Sequence, residues 1–256
     1  MGIRGAALAT VLSQILPLAL YVRRFMANQG ERELRWVAPG KDPKLLSELA
    51  LRGLPAGLQF FLISAVLGLV MWKVKSHGPA WTAAAGGGFR VIQQAFLPII
   101  ALSSATSAIV GQNLGAGRSD RVRGAALGSL GTACAYGLLI SVGLFFGGEK
   151  AGLLFIKDPT WLPVAVTYFH WSAWLGLSVA LSILPTFVLQ AAGQAVQPAA
   201  SAVLRVALLG VLILWLPDSR PEWVFGVTTI TAMMEGVLDT GLLFRFLGRL
   251  PPVQAA

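Results

Sequence analysis

Residues 89–123 read FRVIQQAFLPIIALSSATSAIVGQNLGAGRSDRVR. Between Arg90 and Arg118 no residue carries a charge, and a helix needs about 20 predominantly apolar residues to cross the hydrocarbon core of a bilayer. The end of the stretch changes character. Gly115 and Gly117 permit a tight turn, Ala116 allows close packing, and Arg118, Arg121 and Arg123 bring positive charge to a membrane surface. The reading is a membrane-spanning helix that turns sharply at one face and starts another. A membrane barrel would instead alternate apolar and polar residues in segments of about ten, and this sequence does not.

The same rule carried outward gives seven candidate spans, at about 5–22, 55–72, 81–110, 122–146, 163–190, 199–216 and 223–246. The third is long enough to tilt or bend around Pro98, and the fifth is expected to break at Pro185. Composition agrees. Of 256 residues, 55% are hydrophobic and only 12% charged, with a mean hydropathy of +0.71, too little charge to cover a soluble surface. The expected fold class is an all-α membrane protein of about seven transmembrane helices. Many of the 29 glycines and 14 prolines fall inside the spans, where small residues let helices approach closely in lipid.

The net charge of +9 and a pI near 10.5 raise the question of nucleic acid. No basic run is interleaved with aromatics on a polar segment, so no nucleic-acid partner is expected and the lipid bilayer is. Arg23, Arg24, Arg32, Arg35, Lys41 and Lys44 fall between the first two spans, on the same side as Arg118, Arg121, Arg123, Arg245 and Arg249. The other side keeps Arg4, Lys73, Lys75, Lys150, Lys157 and Arg220. The first group is about twice the second, which by the positive-inside rule places the C-terminus in the cytoplasm of a bacterial-type plasma (inner) membrane. The N-terminus then starts outside, with no cleavable signal, as expected of a chain whose upstream part is missing. The single cysteine, Cys134, lies in an apolar run and is read as a packing residue.

Charged groups within a span are costly, so each is a functional candidate. Arg90 stands in the third span with Gln93 and Gln94 one turn on, Arg205 in the sixth, and Gln59 in the second. Glu235 and Asp239 in the seventh are four residues apart, which puts both carboxylates on one helical face. Such a pair is suited to taking up and releasing a proton during transport. Locking the bundle by pairing with Arg205 or Arg90 is the favoured reading, because ion pairs within a membrane are common fixtures, and Asp239 is near enough to Arg245 to reach the interface. Gln59 serves either as a substrate contact or as an interhelical hydrogen bond.

No GxSxG, Walker A, HExxH or paired-cysteine pattern occurs, so no enzyme is expected. His77 and His170 have no second ligand at metal spacing, so no metal site is assigned. An ion gradient, H+ or Na+, is the expected energy source, with no other cofactor.

Four stretches, taken in order, carry a resemblance. GIRGAALATVLSQ at 2–14, LRGLPAGLQFF at 51–61, the 89–123 segment, and VLQAAGQAVQPAASAVLR at 188–205 resemble the sixth helix through the eleventh of the multidrug and toxic compound extrusion (MATE) transporters. The most specific piece is the loop formed by Gly111, Gln112, Asn113, Gly115, Ala116, Gly117 and Arg118. The resemblance implies helices six to twelve of a twelve-helix fold. Residues 1–23 would be the last helix of an N-terminal lobe, 24–50 a cytoplasmic linker, 51–248 a six-helix C-terminal transport lobe, and 249–256 a cytoplasmic tail. It further implies efflux of small, drug-like, often cationic organic substrates by antiport against H+ or Na+, in a cleft between two lobes. Some members carry an acid early in the seventh helix, but here that region reads FFLISAV at 60–66, so no coupling residue carries over. Two alternatives stand beside this reading: a lipid-linked oligosaccharide flippase of the same superfamily, which would line its cavity with more basic residues, and a non-transporting fragment. The missing wall is expected to come from an N-terminal lobe or from self-association.

Overall fold

A computed structural model describes residues 2–27, 43–156 and 158–251. Among the described residues all regular structure is helical. The α-helices are α1 (Gly2–Ala27), α2 (Pro43–Val74), α3 (Pro79–Gly115), α4 (Ser119–Leu153), α5 (Leu162–Ala173), α6 (Leu175–Ala191), α7 (Val196–Trp215) and α8 (Trp223–Arg249). The chain divides into two units at Leu45/Leu46. The first contains α1, and the second contains all but the first residues of α2 and everything after it. The division falls inside the expected 24–50 linker, whose end is already helical from Pro43. The middle of that linker, with Arg32, Arg35 and Lys41, lies outside the described residues, as do Lys157 and residues 252–256 of the expected tail.

Five helices, α2, α3, α4, α7 and α8, are long and apolar enough to cross a membrane, and α5 with α6 makes a sixth if the bent pair is taken as one span. α1 is a helix over the first expected span and is counted apart from these. Within the second unit α6 is central, packed by α3, α4 and α8, while α5 lies on α4 and α7 on α8. Leu139, Phe146, Leu214 and Trp215 are exposed, as suits helices whose surroundings are lipid tails.

The bend in the fifth span is not at Pro185. The helix axis turns by 45° at Trp174, between α5 and α6, and Pro185 sits buried inside a continuous α6. Two residues beyond the bend, α6 comes into backbone contact with α4. A Cβ on Gly176 would lie 2.3 Å from the carbonyl oxygen of Gly137, and one on Gly137 would lie 2.4 Å from that of Gly176. α4 and α6 therefore touch backbone to backbone. Pro185 removes the N–H that would bond the carbonyl of Leu181. The hydroxyl of Thr240 on α8 donates to that carbonyl at 2.8 Å, so the acceptor stays satisfied despite the proline. Pro98 is likewise inside a continuous α3, where the Tyr136 hydroxyl donates to the carbonyl of Ala95 at 3.1 Å.

The two ends of the second unit differ chemically. Trp72, Trp81, Trp161, Trp215 and Trp223 all stand at helix ends on one side, the placement expected of an interfacial aromatic belt. At this end Lys73 on α2 donates to the carbonyl of Leu216 at 3.0 Å and to Asp218 at 2.7 Å, while the His77 ring meets the Asp218 carbonyl at 3.0 Å. This latch joins the α2–α3 turn to the α7–α8 loop. The hydrogen bond from Lys73 and its charge hold the Asp218 carboxyl below its ordinary value of 3.8. At the opposite end Gly117 adopts φ +69°, a left-handed conformation suited to glycine, and the turn closes with Arg118 N–H on the Asn113 carbonyl at 2.9 Å. There Arg123 donates to the carbonyls of Leu247 and Leu250 at 3.2 and 2.9 Å, capping the end of α8.

Gly176→Ala is expected to destabilise the second unit by about 1–3 kcal/mol through overpacking, read as a lower unfolding temperature in detergent, with Gly128→Ala, which meets open space, as the neutral control. The latch gives a pH-dependent outcome. A carboxyl whose folded value is depressed contributes stability above its unfolded value and loses it as pH falls through the folded one. Carbon-13 NMR of the Asp218 carboxyl should therefore show a midpoint below 3.8, and Lys73→Met should move it back up.

Candidate functional site

The sequence WVFGVTTITAMMEGVLDTGLLFRFLGR of α8 places two acids on one face, and that face is turned inward. Glu235 and Asp239 are buried, at 6% and 0% exposure, while Ile230, Val237 and Phe244 on the opposite side face outward. Gly236 makes this possible. A Cβ there would lie 2.9 Å from the Ser178 carbonyl and 3.0 Å from Leu181, so α8 lies tight against α6 only with glycine between the two acids.

Asp239 is met by hydroxyls. Ser182 on α6 donates to one carboxylate oxygen at 2.9 Å, Ser201 on α7 donates to the other, and Thr186, one turn along α6 from Ser182, adds a third hydroxyl within reach. One turn earlier on α8, Glu235 accepts from Arg205 at 2.7 Å. Ser201 and Arg205 are four apart on α7, as Glu235 and Asp239 are on α8, so the antiparallel pair presents two matched rungs. The polar cluster continues into α2. Gln59 accepts from Gln190 at 2.7 Å and donates to Thr186 at 3.4 Å, which connects the amides to the carboxylate through one hydroxyl.

Charge counting separates the two acids. Arg205 neutralises Glu235, with its Nε buried and unpartnered. Among the described residues no cationic side chain pairs with Asp239. Asp239 does not reach the interface beside Arg245. It is wholly enclosed by α6, α7 and α8, because Gly236 draws α8 inward at that level. A carboxylate away from water without a counter-ion is strongly disfavoured, so this position calls for a bound cation or a proton. The oxygen set of one carboxylate and three hydroxyls suits a hard, small cation, although no metal-type cluster of three His, Cys, Asp or Glu exists among the described residues.

Sequence reading points to Gln59, Arg205, Glu235 and Asp239, and the fold brings these into one connected region. It misses Ser182, Thr186, Gln190 and Ser201. Their residue types carry no signal of their own, because α6 also holds Ser178, whose hydroxyl bonds back to its own helix. Arg90, Gln93 and Gln94 do not join the cluster, and all three are exposed along one face of α3. The loop motif is a structural turn: Gly111, Gln112, Asn113 and Gly115 end α3, Ala116 and Gly117 make the reversal, and Arg118 precedes α4. Cys134 is half-buried in a helix interface, and His170 stacks beside Phe145 at 5.1 Å.

Truncating Arg205 to Met leaves Glu235 buried and unpaired, which is expected to cost about 3–5 kcal/mol. Arg205→Met combined with Glu235→Leu should recover most of that loss. Unfolding of the two variants in detergent checks the pair, and equal losses would show that the ion pair is not what holds α7 to α8.

Comparison with known proteins places this geometry. The family model MatE matches residues 55–216, which runs from α2 through α7. Curated relatives include the probable multidrug resistance protein YpnP of Bacillus subtilis, 27% identical over 84% of this chain and 46% of that protein. Another is an FAD transporter of Shewanella oneidensis, 28% identical over 61% of this chain and 35% of that one. Among solved structures, a MATE in complex with MaL6 superposes with a TM-score of 0.82 at 16% identity, over 97% of this chain and 57% of the other. A MOP superfamily transporter from Pyrococcus furiosus superposes at 0.80 and 15%, over 98% and 57%. The chain thus spans about half the length of the relatives it matches. Those proteins are named as transporters, not enzymes. With five helices long and apolar enough to cross a membrane, the expected turn after α3, and a family match covering most of the bundle, this chain belongs to the MatE family of membrane transporters.

Proposed function

We propose that this chain forms a transport lobe for efflux of small organic compounds, driven by a cation gradient that acts at Asp239. The observation carrying the reading is the buried Asp239 carboxylate, held by Ser182 and Ser201 and without a cationic partner among the described residues. Loading the site with H+ or Na+ neutralises it, and emptying it leaves a bare buried charge that favours rearrangement of α6, α7 and α8. Two conformations that differ in affinity for the cation are what coupling requires.

Relatives named for multidrug resistance and for FAD transport support organic cargo. The path is proposed to be walled on its far side by a second lobe, either an N-terminal lobe or a second copy of this chain. The lobe is placed in a bacterial-type inner membrane with the end bearing Arg118, Arg121, Arg123, Arg245 and Arg249 in the cytoplasm, following the positive-inside rule. A lipid-linked oligosaccharide flippase is less well supported, because only two basic groups, Arg90 and Arg205, lie deep in the described spans and Arg205 is committed to Glu235.

The test is dye transport by the chain in proteoliposomes under an imposed Na+ or pH gradient, with ethidium and fluorescein as probes of opposite charge. Asp239→Asn should lower gradient-driven movement of whichever dye is carried by at least about tenfold, equivalent to about 1.4 kcal/mol, with the inserted amount unchanged. Transport by Asp239→Asn at the parent rate under both gradients would sink the coupling role. Dependence on Na+ alone or pH alone identifies the ion.

A further inference from the structure

We infer that the exposed face of α3 carrying Arg90, Gln93 and Gln94 is a substrate subsite for an amphiphilic organic anion, a carboxylate or phosphate attached to an apolar body. The inference rests on the transporter reading above and adds the charge of the cargo.

The depth of these side chains identifies their surroundings. Trp81, stacked on Phe225 at 5.8 Å, marks the aromatic end of α3. At 1.5 Å per residue, Arg90 lies roughly 13 Å below it and Gln93 and Gln94 roughly 18–20 Å, near the middle of a core about 30 Å thick. Arg90 alone could be a side chain stretching toward the headgroups, since helical side chains lean toward the N-terminus. The two glutamines cannot be read so. Their amides lie a turn deeper on the same exposed face, and side chains of that length do not reach the interface. A lipid-facing helix would leave them without partners in hydrocarbon. The face therefore borders a polar space.

Charge then selects the ligand. Among the described residues only two acids lie deep within the spans of the second unit, and both are turned away. Glu235 is buried and paired with Arg205, and Asp239 is wholly buried among hydroxyls. Arg90 makes no ion pair or hydrogen bond among the described residues. The charge that this unit presents from mid-membrane is thus positive, with amide donors and acceptors one turn below. A guanidinium beside two carboxamides recognises a carboxylate or phosphate oxygen pair, and Leu97 below them, 48% exposed, offers an apolar surface for the attached body. An organic cation would meet a like charge here, with no acid to receive it.

The experiment is equilibrium binding to the chain in phosphatidylcholine nanodiscs, with fluorescein as the anion and rhodamine 6G as the cation. Fluorescein should bind. Arg90→Gln should weaken it about tenfold or more, Arg90→Lys should retain affinity to within about threefold, and rhodamine 6G binding should not fall in either variant. Because Arg90 is exposed, the unfolding temperature of both variants should match the parent. Rhodamine 6G binding more tightly than fluorescein, or fluorescein binding indifferent to Arg90→Gln, would overturn the inference. So would loss of the Arg90 effect on replacing phosphatidylcholine by phosphatidylglycerol, which would assign the group to lipid headgroups. No gradient enters the measurement, so failure of coupling at Asp239 leaves this result intact, and the reverse.

Discussion

A bilayer interior supplies no water to satisfy a polar group, and the surroundings of Asp239 are built around that constraint. The carboxylate is tolerated because two helices, α6 and α7, bring hydroxyls to it, and α8 lies close against α6 because glycine separates its two acids. The same demand explains smaller features. Thr240 answers the carbonyl that Pro185 abandons, and Arg123 answers the carbonyls at the end of α8. In each case a side chain from one helix meets backbone acceptors at a point where another helix is interrupted or ends.

These cross-helix bonds also hold the lobe together. Burial of apolar surface cannot sort helix from helix in lipid as it does in water. Close contact of small residues supplies part of the specificity, at Gly137 with Gly176 and at Gly236 with Ser178. Directional bonds supply the rest, fixing which residues face each other: Ser201 with Asp239 and Arg205 with Glu235. The polar region is therefore both fastening and machinery, and a change of its protonation or ion content acts on the packing directly.

Much of this was legible in the sequence. The apolar runs marked the helices, because bilayer thickness sets a minimum for their length, although α2 begins well before its apolar run, at Pro43, and α4 continues past its own to Leu153. The spacing of Glu235 and Asp239 marked a common face. What stayed hidden was relational. Serine and threonine are common in membrane helices and many bond back to their own backbone, as Ser103 and Thr231 do here, so nothing set Ser182 or Ser201 apart. Pro185 drew attention as a breaker, yet the bend formed at Trp174, close to where two glycines on distant parts of the chain meet. A local rule about proline contains no such contact.

α2 stands apart from the other helices of its unit. Most of its length is exposed, and two attachments at its level are polar: Gln59 with Gln190, and Lys73 with Asp218 and Leu216. They lie roughly 21 Å apart along the helix. Mechanically it is a strut pinned by polar bonds at two points, with one face resting on the core between them through Leu62, Val66 and Val70. Ions and protons at the tryptophan-rich surface act on one pin, and the other touches the hydroxyl beside Asp239. A disturbance at the surface thus has a route to the buried carboxylate along a single stiff helix.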